Sequence, residues 1–419
     1  MVLTFSIGNF RSINGIQTLD FRATGLISEN REVDNKNIVE LTDARVLKVA
    51  GIYGANGSGK SNLIKGIAFF RWMVSNSLSL EKLLKALYNP FKLFSEAANN
   101  NGYFQLTLLL ENKKYRYGFT IKDENSISEE WLLGPAEKNE TLYFRRKGQD
   151  IEWNRDRFSE GNLPIENLRN DTLFLTFASS YNGEISKKIR EFISEKMLFE
   201  NENLSLSDIL NLKITTSKHI LTNKLIESGN KQLILEWLRN AGLFYEDIEI
   251  EVVKNLKDSN RDVFIVNLLK RVFNSKGEIT GLVPMLLEYD ESAGTQKFYS
   301  YIGTLYKIFS EGGILVVDEI DSNFHPTLLL KLISFFNNPE YNKANAQLLF
   351  TSHDTNLLNP DVLRRDQIYF VEKSQREASV LYSLADLKGI RNNADFARQY
   401  LAGFYGALPV LGNYLADAL

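Results

Sequence analysis

The run Gly54-Ala55-Asn56-Gly57-Ser58-Gly59-Lys60-Ser61 carries the spacing G-x-x-x-x-G-K-[ST] in full, and its residue types suit the grip of a polyphosphate. Glycines let successive backbone N–H groups turn inward around phosphate oxygens. Lys60 brings a positive charge to the terminal phosphates, and Ser61 offers a hydroxyl to Mg2+. A helix opening near Gly59 would add the positive end of its dipole. Asn56, Gly57, Ser58, Gly59, Lys60, Ser61 and Asn62 are the candidate nucleotide contacts, with ATP and Mg2+ as the expected ligands. The alternative is an accidental glycine-rich turn. Against it, the apolar run 47–54 reads as a buried strand, and Leu63, Ile64, Ile67 and Ala68 repeat at helical spacing, the context the motif requires.

A second set of reactive groups follows Ile314-Leu315-Val316-Val317. A buried strand of this kind ends in Asp318 and Glu319 and has the form of a Walker B strand. Asp318 can serve the Mg2+ shell, and Glu319, one residue on, can polarise an attacking water as general base. The plainer reading is an acidic strand end making salt bridges. His353 follows the next apolar run, 347–352, where an imidazole could hydrogen-bond the γ-phosphate; a histidine satisfied at a strand end is the commoner fate. His325, before Pro326, reads as a turn or interface residue, and His219 receives no role.

The elements that must position these groups fall into three stretches. Residues 1–182 read as an N-terminal lobe. It opens on alternating strands around Asn14-Gly15 and includes a hairpin over 103–121 turning at Glu111-Asn112-Lys113. Residues 183–284 are expected to be a mainly helical insertion, because Ile220, Leu221, Leu225 and Ile226, then Leu233, Ile234, Trp237 and Leu238, recur at helical spacing. Residues 285–419 return to α/β alternation, with strands expected at 313–318, 347–352, 367–372 and 379–383. No repeat or sustained heptad run is present, so a long coiled-coil arm is not expected. The chain has no cysteine, which removes disulfides, thiolate zinc sites and a cysteine nucleophile. Three histidines are few for a multi-histidine metal centre, and a net charge of −3 does not describe a polycation built to coat nucleic acid. Neither a signal-peptide pattern nor a run of about 20 apolar residues is present, so a cytoplasmic protein without a membrane segment is expected.

Taken in order, Asn9-Phe10-Arg11, GANGSGKS, Ser292-Ala293-Gly294-Thr295-Gln296, VVDEID and TSHD resemble the ABC ATPases of the SMC, RecF and OLD group. That resemblance implies an α/β fold of the ABC-type P-loop NTPase class, with a mixed central sheet, an antiparallel β subdomain and a helical insertion. It implies that Lys60, Glu319 and His353 serve catalysis and that Ser61 and Asp318 hold the metal. It further makes Ser292 and Gly294 a signature loop that closes on the γ-phosphate of another subunit, and Asp321 a carboxylate crossing the dimer. Gln296 ends this run 22 residues before Asp318, and a helix is expected to start there; an ordinary turn capping a helix is the plainer reading. Gln105 is a weak candidate for the Q-loop, which the sequence does not locate.

Within that group, Pro90-Phe91, Tyr115-Arg116-Tyr117-Gly118-Phe119, Leu363-Arg364-Arg365-Asp366-Gln367-Ile368-Tyr369-Phe370, Tyr382-Ser383-Leu384 and Tyr405-Gly406-Ala407 resemble prokaryotic OLD-like ATPases of the RloA and abortive-infection type, among them the ATPase subunit of PARIS antiphage systems. Ser-Ala-Gly-Thr, where transporters carry Ser-Gly-Gly-Gln, argues against a transporter subunit. Residues 355–419 are too few for the Toprim domain of OLD nucleases, so a nuclease is expected on a separate polypeptide. The resemblance implies an ATP-dependent head-to-tail homo-oligomer that senses phage and controls a separate effector protein, such as a nuclease, encoded nearby. The competing readings are a DNA-repair ATPase, with DNA as partner, and a nucleotide-dependent scaffold without turnover.

Overall fold

The computed structural model describes residues 1–94, 100–136, 139–200, 219–253 and 263–409. Its centre is a six-stranded sheet in the order Met197–Glu200, Ile314–Val317, Gln347–Thr351, Val49–Tyr53, Ile368–Lys373, Ser379–Ser383. The first five strands run parallel and the last is antiparallel, so the sheet is mixed. Every residue of Val49–Tyr53, Ile314–Val317 and Gln347–Thr351 is buried. Strands covered on both faces are mostly apolar, which is why these segments read as hydrophobic runs; the polar Gln347 and Thr351 at the ends of one are hydrogen-bonded. Parallel strands end on one edge, and there the chain turns into Gly54, Asp318 and Ser352-His353. Loops leaving that edge are where open α/β sheets bind ligands.

A second, seven-stranded antiparallel sheet has the order Asp150–Trp153, Glu140–Lys147, Ser126–Pro135, Lys113–Asp123, Gly102–Leu110, Val2–Gly8, Gln17–Asp20. The expected hairpin turns on Glu111 and Asn112, both at positive φ (51° and 60°), the twist that suits a two-residue hairpin loop. The helix Lys60–Asn76 packs against this sheet. Phe70 lies 5.5 Å from both Phe5 and Phe119, and Phe69 lies 4.9 Å from Phe104. A Cβ on Gly66 would fall 2.0 Å from Ile7 Cδ1, so glycine sets how closely helix and sheet approach. Aromatic packing of this density is worth several kilocalories per ring.

Buried polar groups tie the layers together. Gln347 Oε1 accepts from Val2 N at 2.6 Å while its Nε2 donates to Val2 O and Leu47 O. Glu130, fully buried, accepts from the Phe174 and Leu175 amides at the start of the helix Phe174–Ser180 and from the Tyr117 hydroxyl. Burial pushes its carboxyl up, and Arg146 and the three donors partly offset that.

The stretch 183–284 departs from the mainly helical expectation. Its first helix, Glu184–Glu195, buries Ile189, Phe192 and Ile193 in the N-terminal core, and Met197–Glu200 joins the central sheet. The amphipathic helices Ile220–Glu227 and Lys231–Asn240 appear as their spacing predicts. Beyond them stands a three-stranded antiparallel sheet, Asp247–Val253, Val263–Phe273 and Ile279–Leu286. One face of this sheet, through Ile248, Val266 and Leu268, meets the helices, while the far end of the hairpin is exposed on both sides and carries apolar residues on both, so its strands show no clean alternation. Among the described residues, no helix is long and apolar enough to cross a membrane.

Glu200 closes its strand beside Val317. Burial holds its carboxyl up at about 7, although the Thr304 hydroxyl and the nearby Lys297 charge pull the other way. A folded-state pKa above the unfolded value of about 4.3 means stability present at low pH and lost as pH rises through about 7. Glu200→Gln is therefore expected to flatten the pH dependence of thermal unfolding between pH 5 and 8. At pH 8 it should gain on the order of 1–2 kcal/mol over the parent chain, read from denaturant melts.

Candidate nucleotide site

The phosphate loop is built by backbone geometry. Gly54, Gly57 and Gly59 take φ of 153°, 75° and 114°, values that side chains strain to reach. Gly59 is the cap residue before the helix Lys60–Asn76. A Cβ there would lie 2.1 Å from Ser379 Oγ and 2.8 Å from Ser12 Oγ. Around it runs a hydroxyl cluster. Ser379 Oγ donates to Ser58 O at 2.5 Å and lies 2.8 Å from Ser12 Oγ, and Asn62 Nδ2 donates to Ser12 Oγ at 2.8 Å. Asn62 thus takes part in holding the loop through its Nδ2. Asn56 and Gly57 form the exposed tip, Ser58 is buried and Ser61 half-buried. Ser12 and Ser379 carry no sequence signal, being ordinary serines brought to the loop from opposite ends of the chain.

Lys60 is only 5% exposed, and its ammonium donates to Gly54 O at 2.8 Å and Ala55 O at 3.1 Å. Among the described residues it makes no ion pair. Burial lowers its pKa, while the charges of Asp318, Glu319 and Asp321 act to raise it. His353 is lowered by burial and by Lys60, against the same three carboxylates. Lys60, Asp318, Glu319, Asp321 and His353 therefore share one electrostatic environment on the strand-end edge. The two carboxylates of Asp318 and Glu319 leave a strand separated from the phosphate-loop strand only by Gln347–Thr351.

The donor set fits a polyphosphate. The amides of Gly57, Gly59, Lys60 and Ser61 take no hydrogen-bond partner among the described residues, and Ser58 Oγ and Asp321 Oδ1 are buried without one. Such groups are costly unless something accepts from or donates to them. Among the described residues no group of three or more His, Asp or Glu could hold a metal ion by itself. Asp318 and Ser61 are the residues that would offer oxygen ligands to a Mg2+ here.

Ser292 and Gly294 lie elsewhere. Ser292 is exposed and caps the helix Ala293–Glu311, its Oγ accepting from Thr295 N at 3.2 Å. The helix starts at Ala293 rather than Gln296, because the serine supplies the cap. Gly294 sits against Asn323: a Cβ would fall 2.6 Å from that residue's carbonyl oxygen. Neither residue bonds to the phosphate loop of its own chain. Lys297 Nζ donates to Ser322 O and contacts its hydroxyl, both at 2.7 Å, so this loop is mounted on the turn that follows Asp321. Gln105 is also away from the edge, in the antiparallel sheet, accepting from Trp131 Nε1 at 3.2 Å. His325 caps the helix Pro326–Asn337 as a turn residue, and His219 is buried against Tyr299.

A glycine-rich strand–loop–helix with a buried lysine, facing an acidic strand end across a largely parallel sheet, defines a P-loop NTPase. Residues 49–359 match the family described as "AAA domain, putative AbiEii toxin, Type IV TA system". The chain belongs to this family of AAA-type ATPase domains. No curated protein matches it. Among solved structures it is similar to the SMC head domain from Thermotoga maritima, at 12% identity and a TM-score of 0.39, over 91% of this chain and 98% of that one.

Gly59→Ala should collide with Ser379 and Ser12 while forcing alanine to a φ of 114°. A loss of about 2 kcal/mol or more is expected in a thermal melt, and ATP should no longer raise the melting temperature of the variant.

Proposed function

We propose that this chain binds and hydrolyses ATP with Mg2+, and that ATP joins copies of it head to tail into an assembly that controls a separate effector protein in prokaryotic antiphage defence. The observation that carries the ATPase reading is the common environment of Lys60, Asp318, Glu319 and His353 on one sheet edge. Phosphoryl transfer asks the protein mainly for positioning and charge stabilisation. Lys60 neutralises the terminal phosphates, and the loop amides and the helix start cradle their oxygens. Ser61 and Asp318 hold the metal, which supplies further charge neutralisation when bound. Glu319 accepts the proton of the attacking water. His353, its pKa lowered by burial and by Lys60, stays neutral at pH 7 and donates one ring N–H to the γ-phosphate.

The head-to-tail reading rests on the placement of Ser292 and Gly294. Ser292 is exposed and Gly294 half-buried, and neither bonds to the phosphate loop of its own chain; as hydroxyl and amide donors at a helix start they suit a second copy. ATP then acts as a ligand with different affinity for open and closed states. The defence reading is supported by the matched family's own description as a putative toxin of a type IV TA system and by the resemblance of the C-terminal motifs to abortive-infection ATPases.

Glu319→Gln is expected to keep ATP affinity within about threefold, to lower turnover by at least about a hundredfold, and to accumulate an ATP-dependent dimer in size-exclusion chromatography. Lys60→Ala should abolish ATP binding and the dimer together. Unchanged turnover in Glu319→Gln removes that residue from the role of base. Co-purification of the chain with the products of its neighbouring genes tests the effector: a stable complex released or rearranged by ATP is the expected result, and ATPase stimulation by DNA alone would favour repair instead.

A further inference from the structure

Thr351 ends the strand between the phosphate-loop strand and the acidic strand, and no role has so far fallen to it. Its side chain is fully buried. Its Oγ1 donates to Asp318 Oδ1 at 2.6 Å and accepts from the Glu319 amide at 2.7 Å. Its carbonyl accepts from Ile320 N at 3.0 Å, and two residues on, His353 N donates to Asp321 Oδ2 at 3.2 Å. The turn 318–321 is thus laced to 351–353 by four hydrogen bonds, two of which pass through one hydroxyl.

Two features make that hydroxyl more than packing. First, Glu319 has a φ of 52°, a left-handed conformation that a glutamate adopts only when its surroundings impose it. The Thr351 bond to its amide is one that imposes it, and so sets where the Glu319 carboxylate projects. Second, the hydroxyl engages one oxygen of Asp318 and leaves the other free, which fixes the rotation of that carboxylate. A methyl in its place would let both acids turn.

We propose that Thr351 is a positioning residue for hydrolysis, orienting the Asp318 carboxylate and the Glu319 backbone through one hydroxyl. The inference rests on the ATPase reading above. It is tested with Thr351→Val, which keeps the branched shape, and Thr351→Ser, which keeps the hydroxyl. The valine variant is expected to lower kcat at least about tenfold while KM for ATP stays within about threefold, and serine should restore kcat to within about threefold of the parent. A second readout needs no turnover: ATP affinity measured by calorimetry with Mg2+ and with EDTA. The gain in affinity that Mg2+ confers should shrink several-fold in the valine variant and persist in the serine variant. Serine impaired as much as valine, or valine with unaltered kcat and Mg2+ gain, overturns the proposal. Should Thr351→Val fail to fold, amide exchange across residues 317–322 of the parent and the serine variant decides: a protected Glu319 amide in both supports it, fast exchange overturns it. A parent chain with no ATP turnover would defeat the ATPase reading, whereas the Mg2+ and exchange measurements would still judge Thr351.

Discussion

A buried ammonium whose close partners, among the described residues, are two carbonyl oxygens is the constraint around which the site is arranged. Lys60 gives up most of its hydration to sit between Gly54 O and Ala55 O, and burying a charge without a counter-charge is expensive. The cost is offset at a distance, by the charges of Asp318, Glu319 and Asp321 just past the end of a strand two places away in the sheet. Without those carboxylates the lysine would lie buried and unscreened. The same imbalance leaves a cationic cradle for a polyanion, which is how an energetic liability becomes a binding site.

Holding such a charge demands a stiff frame, and the frame is mostly aromatic and mostly remote. The helix that begins at Lys60 is clamped against the antiparallel sheet by the Phe69 and Phe70 contacts, with Gly66 allowing the approach. The buried amides of Gln347 and Gln367 fasten the central sheet to the first strand and to the segment around Asn37. The loop itself is locked from outside by Ser12 and Ser379. Positions 12, 58 and 379 meet within hydrogen-bond distance, so the N-terminal turn and the antiparallel edge strand must both be in place before the cradle has its shape.

The acidic edge has its own lock, independent of the serines. Thr351 and Asp321 lace two successive strand-end turns together, and the left-handed Glu319 is a product of that lacing. A strained residue persists only where its neighbours over-determine it. Here the over-determination comes from a strand whose sequence, 347–351, is otherwise unremarkable hydrophobic core.

Much of this was legible beforehand, and for a definite reason. Fully buried parallel strands are mostly apolar, so 49–53, 314–317 and 347–351 announce themselves; glycine, lysine and serine at fixed spacing have few other uses, so 54–61 does too. The three-stranded sheet of the insertion did not announce itself, because half-exposed strands with apolar residues on both faces lack a clean period. Nor did Ser12, Thr351 and Ser379, since a hydroxyl becomes a lock only through what it meets. By itself the sequence determined which groups are chemically competent: a phosphate-binding loop, a pair of acids, a histidine. Only the tertiary structure decided that they share one edge and one electrostatic field, and that Ser292 and Gly294 lie off it. Parallel pairing puts strand ends together across hundreds of residues, and no local pattern encodes that register.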